Sequence, residues 1–78
     1  MDVRQLPAAL RGAGVADGYY WIEGVHEPSP TPPDFVYLRR TEDGEAWESG
    51  TYERGTHRPL ARHADEGEAC AQLLRLLL

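Results

Sequence analysis

The sequence has no lysine and no asparagine, a single cysteine, a single methionine and a single phenylalanine. Each shortage narrows what the chain can be. One cysteine excludes an intramolecular disulfide, and the opening stretch MDVRQLPAALRG has neither the cationic start nor the apolar run of a secretory signal, so a reducing cytoplasm is the expected location. No segment approaches the ~20 consecutive apolar residues that a membrane-spanning helix needs, so no membrane role is expected. Every one of the eight cations is arginine, only Arg39 and Arg40 are adjacent, and the formal net charge is −5. A chain without clustered cations cannot neutralise a phosphate backbone, so nucleic acid is not an expected partner. An acidic surface favours a basic protein instead. The missing lysine and asparagine read as GC-rich codon usage, a property of the genome.

At 78 residues the chain is one domain, 1–78, near the size at which only ~60% of the unfolded surface can be buried. One sheet and one or two helices exhaust what such a core supports. Val3, Leu6, Ala9 and Leu10 recur at helical spacing, with Asp2 as a cap and Gly12 or Gly14 as a stop. A turn at Ala16 to Gly18 leads into YYWIEGV, a predicted strand from Tyr19 to Val25. HEPSPTPPDF then holds four of the six prolines, which remove backbone donors and impose an extended, solvated path. FVYLRR (Phe35 to Arg40) predicts a second strand, TEDGE a hairpin centred on Asp43-Gly44, and Glu45 to Arg54 a third strand. Gly50 inside that strand predicts a bulge that brings Trp47 and Tyr52 to one side. A turn at Gly55 and a short strand from Pro59 to Ala64 follow. Asp65 and Glu68 then form a capping-box-like start for a last helix. The order α-β-β-β-β-α, without a long helical crossover, predicts a two-layer α+β fold built on an antiparallel four-stranded meander.

Two surpluses of apolar surface stand out. Along the last helix Ala69, Cys70, Leu73, Leu74 and Leu77 form one arc, and Leu76 and Leu78 widen it to roughly 200°, where packing on a sheet needs little more than ~100°. In the strands, Tyr20, Ile22, Val36 and Leu38 share one set of faces while Tyr19, Trp21 and Glu23 oppose them, as do Phe35 and Tyr37. The second set, with Trp47 and with Glu45 and Glu48 nearby, has the composition of an aromatic interface with an acidic rim. The partner-binding residues expected from this reading are Tyr19, Trp21, Glu23, Phe35, Tyr37, Trp47, Leu76 and Leu78.

Catalytic chemistry is hard to assemble from what remains. His26, His57, His63 and Cys70 lack the paired spacing of a metal site, and no cofactor motif occurs, since Gly12, Gly14 and Gly18 follow a helix rather than a strand. Cys70 with His63 is the one candidate nucleophile pair, but Cys70 lies within the apolar arc. PTPP (residues 30–33) contains a PxxP core without a flanking cation at ligand spacing, and reads as a stiff connection. No catalytic residue, metal or cofactor is therefore expected.

At YERG (Tyr52 to Gly55) and DEGEACAQLL (Asp65 to Leu74), with GVADGYYWIEG upstream, the chain resembles small stand-alone immunity-like α+β proteins of GC-rich Gram-positive bacteria, encoded beside secreted polymorphic toxins. The resemblance implies a non-enzymatic binder of one cognate protein. A homodimeric structural or regulatory module that pairs the same surfaces with themselves is the alternative, and a small enzyme using Cys70 is the third.

Overall fold

In a computed structural model covering residues 1–78, the chain forms α1 (Leu6–Gly12), a 3-10 turn (Asp17–Tyr19), β1 (Tyr20–Ile22), β2 (Asp34–Arg40), β3 (Trp47–Glu53), β4 (Thr56–His63) and α2 (Glu66–Leu77). This is the α+β order expected, with one four-stranded sheet in the order β1-β2-β3-β4.

Local chemistry sets the ends of both helices. The Asp2 carboxylate accepts the amides of Arg4 and Gln5 at 2.9 and 3.0 Å, which holds a turn ahead of α1 and delays the helix to Leu6. Pro7 occupies the first turn, where its missing N–H deprives no carbonyl of a partner. At α2 the Asp65 side chain accepts the Glu68 amide at 3.1 Å, the cap that the sequence predicts. Glu66 reaches back to accept the Val3 amide at 2.8 Å, which ties the N-terminal segment to the start of α2.

The sheet departs from the expected meander at one edge. β2 with β3 and β3 with β4 are antiparallel, but β1 runs parallel to β2, with Tyr20, Trp21 and Ile22 opposite Val36, Tyr37 and Leu38. The sheet is therefore mixed. The cause is the path of the proline-rich segment. After Ile22 a tight turn closes with paired backbone bonds between Ile22 and His26. Residues 27–33 then return the chain to the start of β2 as an irregular connection without a helix.

The second departure concerns the bulge. The register of β3 against β4 shifts between Ser49 and Gly50, but Ser49 pairs with Ala61 and Gly50 with Pro59, so the extra residue is Leu60 on β4. β3 stays regular along β2. Residues paired across strands share a face, so Trp47 and Ser49 lie with Leu38 and Arg40, whereas Glu48, Gly50 and Tyr52 lie with Arg39, Tyr37 and Phe35. Trp47 and Tyr52 thus face opposite sides. β4 itself is an exposed edge strand carrying Arg58, Pro59, Leu60 and Arg62.

Both helices pack on the Trp47 side. Leu6 and Leu10 of α1 and Ala69, Cys70 and Leu73 of α2 form one buried cluster with Tyr20, Ile22, Leu38 and Trp47, flanked by Val3, Val15, Val36, Leu74 and Leu77. The only buried polar side chain in that layer, Ser49, is satisfied by His63 Nε2 at 3.1 Å. No helix is long and apolar enough to cross a membrane.

Gly50 is fixed by close approach. A Cβ there would stand 2.2 Å from the Arg58 carbonyl oxygen and 2.9 Å from the Tyr37 hydroxyl. Backbone cannot yield as a flexible side chain can. Gly50→Ala is therefore expected to cost about 1–3 kcal/mol of stability by overpacking, measured as a lower urea midpoint. An unchanged midpoint would mean that β4 moves aside freely.

Candidate functional site

The face of the sheet opposite the helices carries a ladder of three rings drawn from three strands. Trp21 of β1 stacks on Phe35 of β2 with centroids 5.3 Å apart and an interplanar angle of 18°, and Phe35 stacks on Tyr52 of β3 at 4.5 Å and 12°. The alternation of the strands places them there, because Trp21, Phe35 and Tyr52 all fall on the face of Tyr37. Each stacked pair contributes about 0.5–1.5 kcal/mol beyond burial alone. Phe35 is buried between its neighbours, while Trp21 and Tyr52 are half-buried and offer their outer surfaces.

Tyr37 forms the floor beside this ladder. It is only 1% exposed, lying over Gly50 with its hydroxyl donating to Glu48 Oε2 at 2.7 Å. Arg39 donates to the same carboxylate oxygen through Nε at 2.9 Å and its guanidinium sits 5.1 Å from the Tyr37 ring centroid. Partial burial pushes the Glu48 carboxyl up, but the bonds from Tyr37 and Arg39 outweigh it and hold the group below its ordinary range. Burial and the bond to Glu48 push the Tyr37 hydroxyl well above its ordinary value, so it remains a proton donor. His57 meets Tyr37 and Tyr52 edge-on, each with a centroid separation of 4.8 Å. Partial desolvation against these rings, with Arg39 nearby, lowers its proton affinity despite the pull of Glu48, although the residue as a whole is exposed.

These groups enclose a groove of about 230 Å³, and Glu23 and Thr31 contribute to its wall. Thr31 belongs to the proline-rich return, so the crossover that makes β1 parallel also edges this face. A larger depression of about 670 Å³ lies next to it, lined only by polar residues that include Arg39, Arg40 and Arg62. Its cations are already engaged: Arg39 with Glu48, Arg62 with Asp43 at 3.4 Å, and Arg40 against the Trp47 ring and the Gly44 carbonyl. That depression is a self-neutralised surface. The aromatic groove is the one with apolar contact area and little internal pairing.

The residues expected at the interface sort into four groups. Trp21, Glu23, Phe35 and Tyr37 converge on the aromatic face. Tyr19 falls in the 3-10 turn rather than in β1, and is 64% exposed at the end of the sheet. Leu76 and Leu78 are exposed on the end of α2, Leu78 at 72%. Trp47 requires correction: the regular β3 register turns it into the helix-covered core, with Arg40 over its outer ring face at 4.9 Å. Tyr52 and His57 take its place, and sequence parity with Glu48 on an unbulged strand was the available signal for Tyr52. Of the acidic residues expected nearby, Glu48 lies on this face and Glu45 sits in the β2–β3 loop.

The candidate ligands for chemistry are dispersed. His26 stacks on Tyr20 at 4.2 Å, His63 is bonded to Ser49, and Cys70 is fully buried in the core. Burial, followed by the charge of Glu66, pushes the Cys70 thiol up, which disfavours the thiolate that a nucleophile requires. No protein-family model, no curated protein and no solved structure matches the chain, so the meaning of the site rests on its own geometry.

The two shifted groups beside Tyr37 make the fold acid-sensitive in two windows. Native His57 resists protonation, so its contribution is complete above its ordinary value of 6.5 and is lost as pH falls through that value and the lower native one. Native Glu48 holds its charge, so its contribution is complete above its ordinary value of 4.5 and is lost below it. Urea midpoints measured across pH should fall in both windows, with His57→Gln flattening the upper decline and Glu48→Gln reducing the lower, to which Asp43, held below its ordinary range by its bond to Thr41, also contributes. A wild-type profile unchanged by either variant would contradict the assignment.

Proposed function

We propose that the chain is a non-enzymatic, immunity-like protein-binding module of the cytoplasm that occludes a basic partner protein with its helix-free aromatic face. The observation that carries the reading is the Trp21–Phe35–Tyr52 ladder, an ordered apolar surface left outside the core by a sheet that has both helices on its other side. Flat, rigid rings in a partly desolvated groove supply contact area at low entropic cost. The net charge of −5 and the Glu23 carboxylate at the groove wall favour a cationic partner. Neither metal nor cofactor enters this reading, and nucleic acid and membrane are not the partners it requires.

The test is purification of the chain together with the product of the adjacent gene, followed by calorimetry. Trp21→Ala should weaken that complex by at least ~30-fold, the loss of about 2 kcal/mol typical of a central aromatic contact, with an unchanged circular dichroism spectrum. Failure to bind any neighbouring product, or full affinity in the variant, counts against the reading. The second reading, a homodimer, is favoured by the exposed Leu76 and Leu78. Light scattering decides it: Leu76→Glu should convert a dimer to a folded monomer, and a wild-type chain that is monomeric at high micromolar concentration removes it.

A further inference from the structure

The aromatic face continues round the end of the sheet into a second groove of about 290 Å³, which shares Phe35 and Tyr52 with the first and is closed by Tyr19, Val36 and Leu77. Its rim carries Asp34 and Glu53, which pair directly across β2 and β3. Two like charges opposite each other on adjacent strands oppose sheet formation. Neither carboxylate is ion-paired with a cation. The ion pairs of the chain are Arg11 with Asp17, Arg39 with Glu48 and Arg62 with Asp43. Arg58, opposite Thr51 on β4, pairs with neither acid, and Arg75 on the last turn of α2 is held by Gln72 Oε1 at 2.9 Å. Leu77, at the C-terminal end of α2, closes the groove, so the negative end of the helix dipole adds to the same potential.

An apolar trough with two unneutralised carboxylates at its mouth matches an amphipathic cation. A metal ion would need further ligands, and no group of three or more His, Cys, Asp or Glu side chains is placed to hold one. We propose that this groove seats one lysine or arginine side chain of the partner, with its aliphatic stem on Tyr19, Val36 and Leu77 and its charge between Asp34 and Glu53. The inference rests on the basic-partner reading above and gives that partner an anchor residue. It also gives the exposed Tyr19 a purpose, as a ring face beside the incoming charge.

The probe is n-butylguanidinium, titrated into the isotope-labelled full chain and followed by amide chemical shifts, with n-butanol and guanidinium alone as controls at equal concentration. Saturable shifts centred on Tyr19, Asp34, Glu53 and Leu77 are expected for butylguanidinium only. Asp34→Asn and Glu53→Gln should each weaken its binding by about 5-fold or more and should raise the urea midpoint of the free chain, since each removes the cross-strand repulsion. Shifts of equal size with butanol, or an affinity unmoved by both variants, would overturn the assignment. The two proposals fail separately. A partner that binds both variants as tightly as wild type keeps the binding reading and removes the anchor. Saturable binding of butylguanidinium here, with no neighbouring product bound, keeps the cation seat and removes the protein partner.

Discussion

The packing of Tyr37 across Gly50 is the contact on which the aromatic face depends. The ring fits because its cross-strand partner has no side chain, and any Cβ at that position meets the β4 backbone as well as the phenol. Once seated, the hydroxyl commits Glu48, and Glu48 commits Arg39. The hydrogen bond from a buried hydroxyl to a carboxylate is worth about 1.5–3 kcal/mol, whereas the half-exposed Arg39–Glu48 pair contributes at most ~1 kcal/mol. The tyrosine, not the ion pair, therefore sets the geometry. Phe35 and Tyr52 stand beside it on the same face, and Trp21 completes the row because the β1–β2 register sets it opposite Tyr37.

The fold divides its apolar residues between a dry layer and a wet one. Both helices spend their apolar faces on the same side of the sheet, as a chain of this length must if it is to fill one core at native density. The rings on the other side then pack against each other instead of against a third layer. They are ordered without being enclosed. A surface of that kind loses little conformational freedom on contact with another molecule, which is the property the proposed binding role requires.

Much of this was legible in the sequence where the cause is local. The capped last helix, with its broad leucine arc, followed from Asp65, Glu68 and a 3.6-residue period, and the separation of Tyr20 and Ile22 from Trp21 followed from strand alternation. What was not legible is set between segments. Gly50 did mark an irregularity, but the extra residue lies on the partner strand at Leu60, and nothing near Gly50 in sequence specifies that. Trp47 was consequently placed on the aromatic face when the unbroken β3 register buries it. The prolines of residues 28–33 marked a connection between strands but not its direction: the same composition can link a hairpin or carry the chain back, and the parallel edge depends on which. The acidic rim was anticipated at Glu23, Glu45 and Glu48, of which Glu45 lies instead in the β2–β3 loop, while Asp34 and Glu53 became a pair only through the β2–β3 register.

The exposed edge at β4 carries a further consequence. An added strand would have to find an unbroken row of donors there, but Pro59 supplies none and Leu60 is the kink of the bulge, while Arg58 and Arg62 put like charges along the edge. Such an edge resists ladder growth from chain to chain. Contacts of this chain with its own copies or with any other molecule are thereby steered away from backbone pairing at β4 and toward side-chain surfaces.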